Sequence, residues 1–438
     1  MPNSAPGHAS PSSVTPVRPR AAWRAGALSV ALAALLGCAK EQAPQPAWPV
    51  DPAVVTGNRA HADSARVDLY VDATVSMGGY VADPNSRYTQ FLERLEAAAR
   101  NTWKRADVHF FRFGQEPREV DRAAFLAARR PDFYTERITG IDRVADCGDP
   151  RTVRVIVTDL FQSDNDVNAI VARIKDSCFQ RGQAAAILGV TSQFNGRVYD
   201  ARVPAYPYAS TANPATYRPF YALLFGAPVA VERLLAELSE RTVGGRLPYA
   251  VIAPSVVRDY AVRMEKVRGS RDFNPPIASG PYAYSFVLGN GRPGGDVLAD
   301  VRRTPSPGAF PVRADQVELV AYRRAVGRDG RAVGDSVEAQ DVTLRQPPPA
   351  GDSLRLTLAV TPPSAPGTYA YHLALRTGEA AGFALPPWVE QYSSANPTPA
   401  ADANKTLNLA AFARDMRRAA SSVAAPRLAV WAMTVRRR

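Results

Sequence analysis

Three oxygen-bearing side chains stand at alternate positions in Asp72-Ala73-Thr74-Val75-Ser76, and Met77 and Gly78 follow. One carboxylate and two hydroxyls turned into one loop suit a hard divalent cation such as Mg²⁺, which takes oxygen ligands and retains waters. The run before them must do the positioning. Val67, Leu69, Tyr70 and Val71 are β-branched, aliphatic or aromatic, so the run reads as a buried strand. Asp72 then falls at the C-terminal end of that strand, the edge at which open α/β sheets bind ligands.

From Asp63 onward strand and helix patterns alternate. Strands are expected over 66–72, 108–114, 152–158, 184–190 and 218–225. Helices are expected over 86–105 and 120–129, and after the 152–158 and 218–225 strands. The first helix carries Phe91, Leu92, Leu95, Ala98 and Ala99 on one face. This rhythm predicts a doubly wound, mostly parallel α/β sheet with helices on both faces. A Pro- and Tyr-rich stretch, 193–217, interrupts it and reads as a long excursion or lid.

The Asp72-x-Thr74-x-Ser76-Met77 segment resembles the first motif, Asp-x-Ser-x-Ser, of the von Willebrand factor type A domain and its metal-ion-dependent adhesion site. Thr74 stands where that family has Ser. The resemblance implies a Thr on a later loop. Thr139, in Ile138-Thr139-Gly140-Ile141-Asp142, matches at 139 − 72 = 67 residues on, with Thr135 as the alternative. It also implies an Asp after the fourth strand, usually in Thr-Asp-Gly. Here Thr158-Asp159-Leu160 supplies Asp159, with Leu160 in place of Gly. In that family's pattern Asp72, Thr74, Ser76 and Thr139 would ligate Mg²⁺ or Mn²⁺ directly, and Asp159 directly or through a water. A carboxylate of a protein partner would complete the octahedron. The same residue types also cap helices well, which is the plainer use of Thr139 and Asp159.

The N-terminus reads as a targeting segment. Arg18, Arg20 and Arg24 precede an apolar stretch over 25–36, too short for a permanent membrane span. Leu35-Leu36-Gly37-Cys38 resembles a bacterial lipobox, which implies cleavage before Cys38 and a lipid anchor on its thiol. An ordinary secretory signal is the alternative. The expected location is extracytoplasmic, on the cell envelope; Ala39 after the Cys favours the outer membrane over the inner one where the host has both. Residues 38–63 read as a tether rich in Pro, Ala and polar residues.

Of three cysteines, Cys147 and Cys178 remain once Cys38 is acylated. Cys147 precedes the 152–158 strand and Cys178 ends the helix after it. A strand and its following helix run antiparallel, so the two thiols meet as a disulfide, which an exported compartment permits. Two buried free thiols are the other reading. The four His are dispersed, so a His/Cys zinc site has no support.

The expected organisation is signal 1–37, tether 38–63, type A-like domain 64–245, connector 246–279, a small β-sandwich-like domain 280–380, and a C-terminal helix and strand, 381–438, packing on the rest. Alternation at Leu354, Leu356, Leu358 and Val360, and at Tyr369, Tyr371, Leu373 and Leu375, carries the sandwich reading. Net charge is +12, but the Arg residues are scattered rather than clustered, so nucleic acid is not an expected partner. No nucleophile–His pair or phosphate-cradling loop is present. The chain thus reads as a non-enzymatic, lipid-anchored binder of an acidic protein partner. A metal-independent scaffold is the alternative. A metal-dependent hydrolase is third, with Asp68 and Asp142 as its nearest acids in sequence.

Overall fold

The computed structural model describes residues 48–57, 64–161, 167–200, 203–240, 245–345, 351–378, 383–395 and 401–438. The expected signal, Cys38 and most of the tether lie outside the described residues. A short helix α1 (Ala53–Thr56) precedes the first sheet.

Val67, Leu69 and Val71 alternate along β1 (Ser64–Asp72) and are completely buried on one face, while Tyr70 points to the other. Each such aliphatic burial contributes about 1.5–3 kcal/mol, which fixes the strand's register as well as its place. Helix α2 (Arg87–Asn101) follows; Ser86 caps it by accepting from Thr89 N at 3.3 Å. Its Leu92 and Leu95 cover the Val67 face. Then come β2 (Arg105–Phe113), β3 (Pro117–Val120), α3 (Arg122–Leu126) and α4 (Ile141–Val144). They are followed by β4 (Thr152–Thr158), α5 (Val167–Ser177) and β5 (Ala184–Ser192). A hairpin, β6 (Asn195–Asp200) and β7 (Val203–Ala209), leads into β8 (Arg218–Gly226), α6 (Pro228–Glu240) and β9 (Tyr249–Ile252).

These strands form a seven-stranded sheet in the order β3-β2-β1-β4-β8-β5-β9. Only β1 with β2 and β1 with β4 pair in parallel; β2·β3, β4·β8, β8·β5 and β5·β9 are antiparallel. The expectation of a doubly wound, mostly parallel sheet is therefore overturned. The reason lies in 193–217. Instead of a crossover helix, this stretch makes the β6–β7 hairpin, and the chain returns from it antiparallel as β8, inserted between β4 and β5. A hairpin return reverses strand direction, whereas only a long crossover preserves it.

Two further sheets carry the rest. Their strands are β10 (Val257–Lys266), β11 (Ile277–Gly280), β12 (Ala283–Val287), β13 (Gly295–Pro305), β14 (Val317–Val326) and β15 (Ala332–Glu338). After these come β16 (Val342–Leu344), β17 (Ser353–Val360) and β18 (Gly367–Thr377). Helix α7 (Pro387–Tyr392), the short pair β19 (Ser393–Ser394) and β20 (Thr406–Leu407), helix α8 (Leu409–Val423) and β21 (Arg427–Arg437) complete the chain. The orders are β10-β13-β17-β16 and β11-β12-β21-β18-β14-β15. The C-terminal strand β21 is central to the second of these, between β12 and β18. Leu354, Leu356, Leu358 and Val360 of β17 share one core with Leu373, Trp431 and Met433 from the facing sheet. That core is continuous with the Tyr70 face of the first sheet, through α5 and α8.

Cys147 and Cys178 form a buried disulfide with a Cα–Cα separation of 5.2 Å, tying the loop before β4 to the end of α5. Trp388 packs against the backbone of Gly189 on β5, where a Cβ would lie 2.8 Å from the indole.

Candidate functional site

Because β1 and β4 are parallel, with Val71 beside Val157, both deliver their last residues to the same sheet edge. Asp72 and Asp159 arrive there with the hydroxyls of the loop after β1. Asp72 Oδ1 accepts from Thr74 N at 3.0 Å and from Thr74 Oγ1 at 2.6 Å. Thr158 Oγ1 donates to Asp72 Oδ2 at 2.8 Å. The Thr74 and Ser76 hydroxyls lie 3.0 Å apart, and Ser76 Oγ is 3.4 Å from Asp159 Oδ1. Asp159 Oδ1 also accepts from Phe161 N at 3.1 Å. The hydroxyls thus form a chain between the two carboxylates. With its proton committed to Asp72, Thr74 can only accept from Ser76, and Ser76 has one proton for two acceptors.

The set is enclosed: Asp72 is 0%, Thr74 2%, Ser76 2% and Asp159 4% exposed. Loss of water and the nearby Asp159 charge push the Asp72 carboxyl up to about 7, against the pull of its hydrogen bonds from Thr74 and Thr158. Asp159 is also raised by burial, and Arg218 opposes that rise. Arg218 itself is buried on β8, where it donates from Nη1 to the carbonyls of Ala403 (2.6 Å) and Lys405 (3.2 Å). The inserted strand β8 therefore brings a cation near enough to act on Asp159, and the same cation holds the segment before β20.

Thr139 is buried on the loop before α4. That loop is stitched to the Asp72 loop by Glu136 N to Ala73 O (3.1 Å) and Val75 N to Glu136 O (2.9 Å). Thr135, the alternative, is exposed and accepts from Arg112 instead. Leu160, standing where the resembled family has Gly, has a left-handed φ of +63°. A side chain in that region costs about 1–2 kcal/mol, and the strain sits directly beside Asp159.

Thr158 and Arg218 were not singled out by sequence reasoning. Thr158 had a readable signal, as the last residue of a strand expected to end beside Asp72. Arg218 had none, because its position follows from the antiparallel return of β8. The acids of the hydrolase reading stand elsewhere. Asp68, four residues up β1, accepts from Arg66 Nε at 2.7 Å, and Asp142 lies 3.6 Å from its neighbour Arg143.

As a donor set, two carboxylates and a run of hydroxyls fit a hard oxygen-seeking cation. The raised carboxyl has the same origin: two acids in low dielectric that lack a full countercharge. Among the described residues there is no group of three or more His, Cys, Asp or Glu placed to hold a metal, so three of the proposed five donors would be hydroxyls. No protein-family model and no curated protein matches this chain.

Proposed function

We propose that this chain is a lipid-anchored cell-envelope protein, held by Cys38, that docks an acidic protein partner at the Asp72–Asp159 sheet edge with a divalent cation. The observation that carries this reading is the convergence of Asp72, Thr74, Ser76 and Asp159 from two parallel strands into one hydrogen-bonded cluster. Asp72 and Asp159 would hold Mg²⁺ or Mn²⁺ with Thr74, Ser76 and Thr139, and the bound ion would supply a Lewis-acidic position for a partner carboxylate. The protein's own part is to orient these oxygens. Thr158 fixes one face of Asp72, Phe161 N fixes Asp159, and Arg218 favours its ionised form. None of the described helices is long and apolar enough to cross a membrane.

A metal-independent scaffold is the second reading, and the enclosure of the cluster favours it. A proton retained by the carboxylate pair near neutral pH would relieve the same repulsion without an ion. Calorimetric titration of the full chain with Mg²⁺ and Mn²⁺, beside Asp72→Ala, separates the two. Saturable uptake that Asp72→Ala abolishes supports the metal site. No uptake, or equal uptake by the variant, leaves the scaffold. Partner capture in Mg²⁺ and its loss in chelator tests the docking claim.

A further inference from the structure

At the opposite end of the first sheet, away from Asp72, lies a cavity of about 870 Å³. It is bounded by the start of β1, the loop before β4, the residue before β5, the first turn of α6 and the faces of β14 and β18. Its size falls in the roughly 300–1,000 Å³ range of small-molecule sites.

Two features of its wall point to a ligand. Apolar surface comes from Val54, Trp103, Val229 and Val320, whereas Arg151, Arg181, Arg233, Arg376 and Arg427 line it from five different parts of the fold. The described lining contains no Asp or Glu. Gathered arginines without acid among them make a positive field that attracts anions, and their forked donors match carboxylate or phosphate oxygens. Arg376 is paired with Glu318 at 2.6 Å, and among the described residues Arg151, Arg181 and Arg427 make no ion pair.

The second feature is Gln183. It lies on the cavity wall, 4% exposed, and neither its amide nitrogen nor its amide oxygen has a hydrogen-bond partner among the described residues. A buried amide left unmade is costly, so such a group marks a place where a polar partner belongs. The first turn of α6 adds to it. Val229 and Ala230 line the cavity at the N-terminus of a 13-residue helix, whose first N–H groups lack intrahelical partners and favour negative charge.

We propose that this cavity binds an amphiphilic anion, an apolar body bearing one carboxylate or phosphate. The guanidinium groups of Arg151 and Arg427 receive the head group, Gln183 makes a hydrogen bond to it, and the Val54–Trp103–Val320 wall covers the body. This site is separate from the Asp72 cluster and does not depend on a metal there.

The test is calorimetric titration of the full chain in chelator with decanoate, decyl phosphate, decanol and inorganic phosphate. Saturable binding of either anionic amphiphile is expected, at least tenfold tighter than decanol or inorganic phosphate, and the tighter of the two identifies the head group. The Arg151→Gln/Arg427→Gln double variant should weaken it at least tenfold with an unchanged melting temperature. Gln183→Leu should weaken it too, while Asp72→Ala leaves it intact. No saturable binding of either amphiphile overturns the proposal. So does decanol or inorganic phosphate binding as tightly, or an unaffected double variant.

Discussion

Replacing Asp72 by Asn should make the metal-free protein more stable above neutral pH and no more stable in acid. Asn keeps one oxygen to accept from Thr74, puts an amide N–H where Asp72 accepted from Thr158, whose hydroxyl can turn to accept instead, and carries no charge. In the wild type the Asp72 carboxyl is raised from 3.8 to about 7 by burial and by Asp159. The folded state therefore holds a proton that the unfolded chain has already released. Its stabilising effect is complete below about pH 4, declines as pH rises, and is gone above about pH 7. The gap of about three pH units corresponds to a ceiling of about 4 kcal/mol, at about 1.4 kcal/mol per unit. Asp72→Asn has no such loss, and it also frees Asp159 of a like charge. The measurement is thermal unfolding of both full-length proteins in chelator, from pH 4.5 to 8.5. The variant's advantage should grow through that window and level off near pH 7. For a unit of this size 1 kcal/mol moves the midpoint by about 1–2 °C, so the final gap is roughly 5 °C. Saturating Mg²⁺ should then raise the wild type selectively, by about 2.7 kcal/mol at a hundredfold excess over Kd. A wild-type minus variant difference that is flat with pH in chelator would refute the reasoning, because it would mean the pair carries no unrelieved charge.

Other outcomes follow from the packing. Removing the disulfide as Cys147→Ala/Cys178→Ala frees a loop with ends 31 residues apart and should cost roughly 3–4 kcal/mol, read as a matching midpoint drop on reduction of the wild type. Gly196→Ala places a Cβ 2.8 Å from the Gly79 Cα, so the β6–β7 hairpin should lose its seat and be cut early in limited proteolysis; an unchanged digestion pattern would argue against that close approach. Arg417 is buried over Phe383, and burial pushes its guanidinium down to about 9, so Arg417→Met should hold or raise the melting temperature. A clear fall would show instead that its hydrogen bonds to Ala253 O and Ser421 outweigh the burial of charge. Cys38→Ser should move the protein from the membrane to the soluble fraction, and unaltered partitioning would remove the lipid anchor.

The alternation of Val67, Leu69 and Val71 determined β1 and placed Asp72 at its end, because burial on one face fixes strand and register together. Local signals likewise located α2, from its Ser86 cap and Leu92–Leu95 face, and β17, from strict alternation. The pairing of Cys147 with Cys178 was also legible, since a strand and its following helix necessarily fold back on each other. Strand direction was not. Whether β8 runs with or against β4 depends on what 193–217 does, and neither a run of apolar residues nor its period encodes direction. Only the tertiary structure decided that this stretch is a hairpin, that β8 enters between β4 and β5, and that the charge of Arg218 acts on Asp159. The same holds for the arginine-lined cavity. Arg151, Arg181, Arg233, Arg376 and Arg427 are scattered in sequence and look like ordinary surface charge, until the packing of the sheets and helices sets them around one cavity.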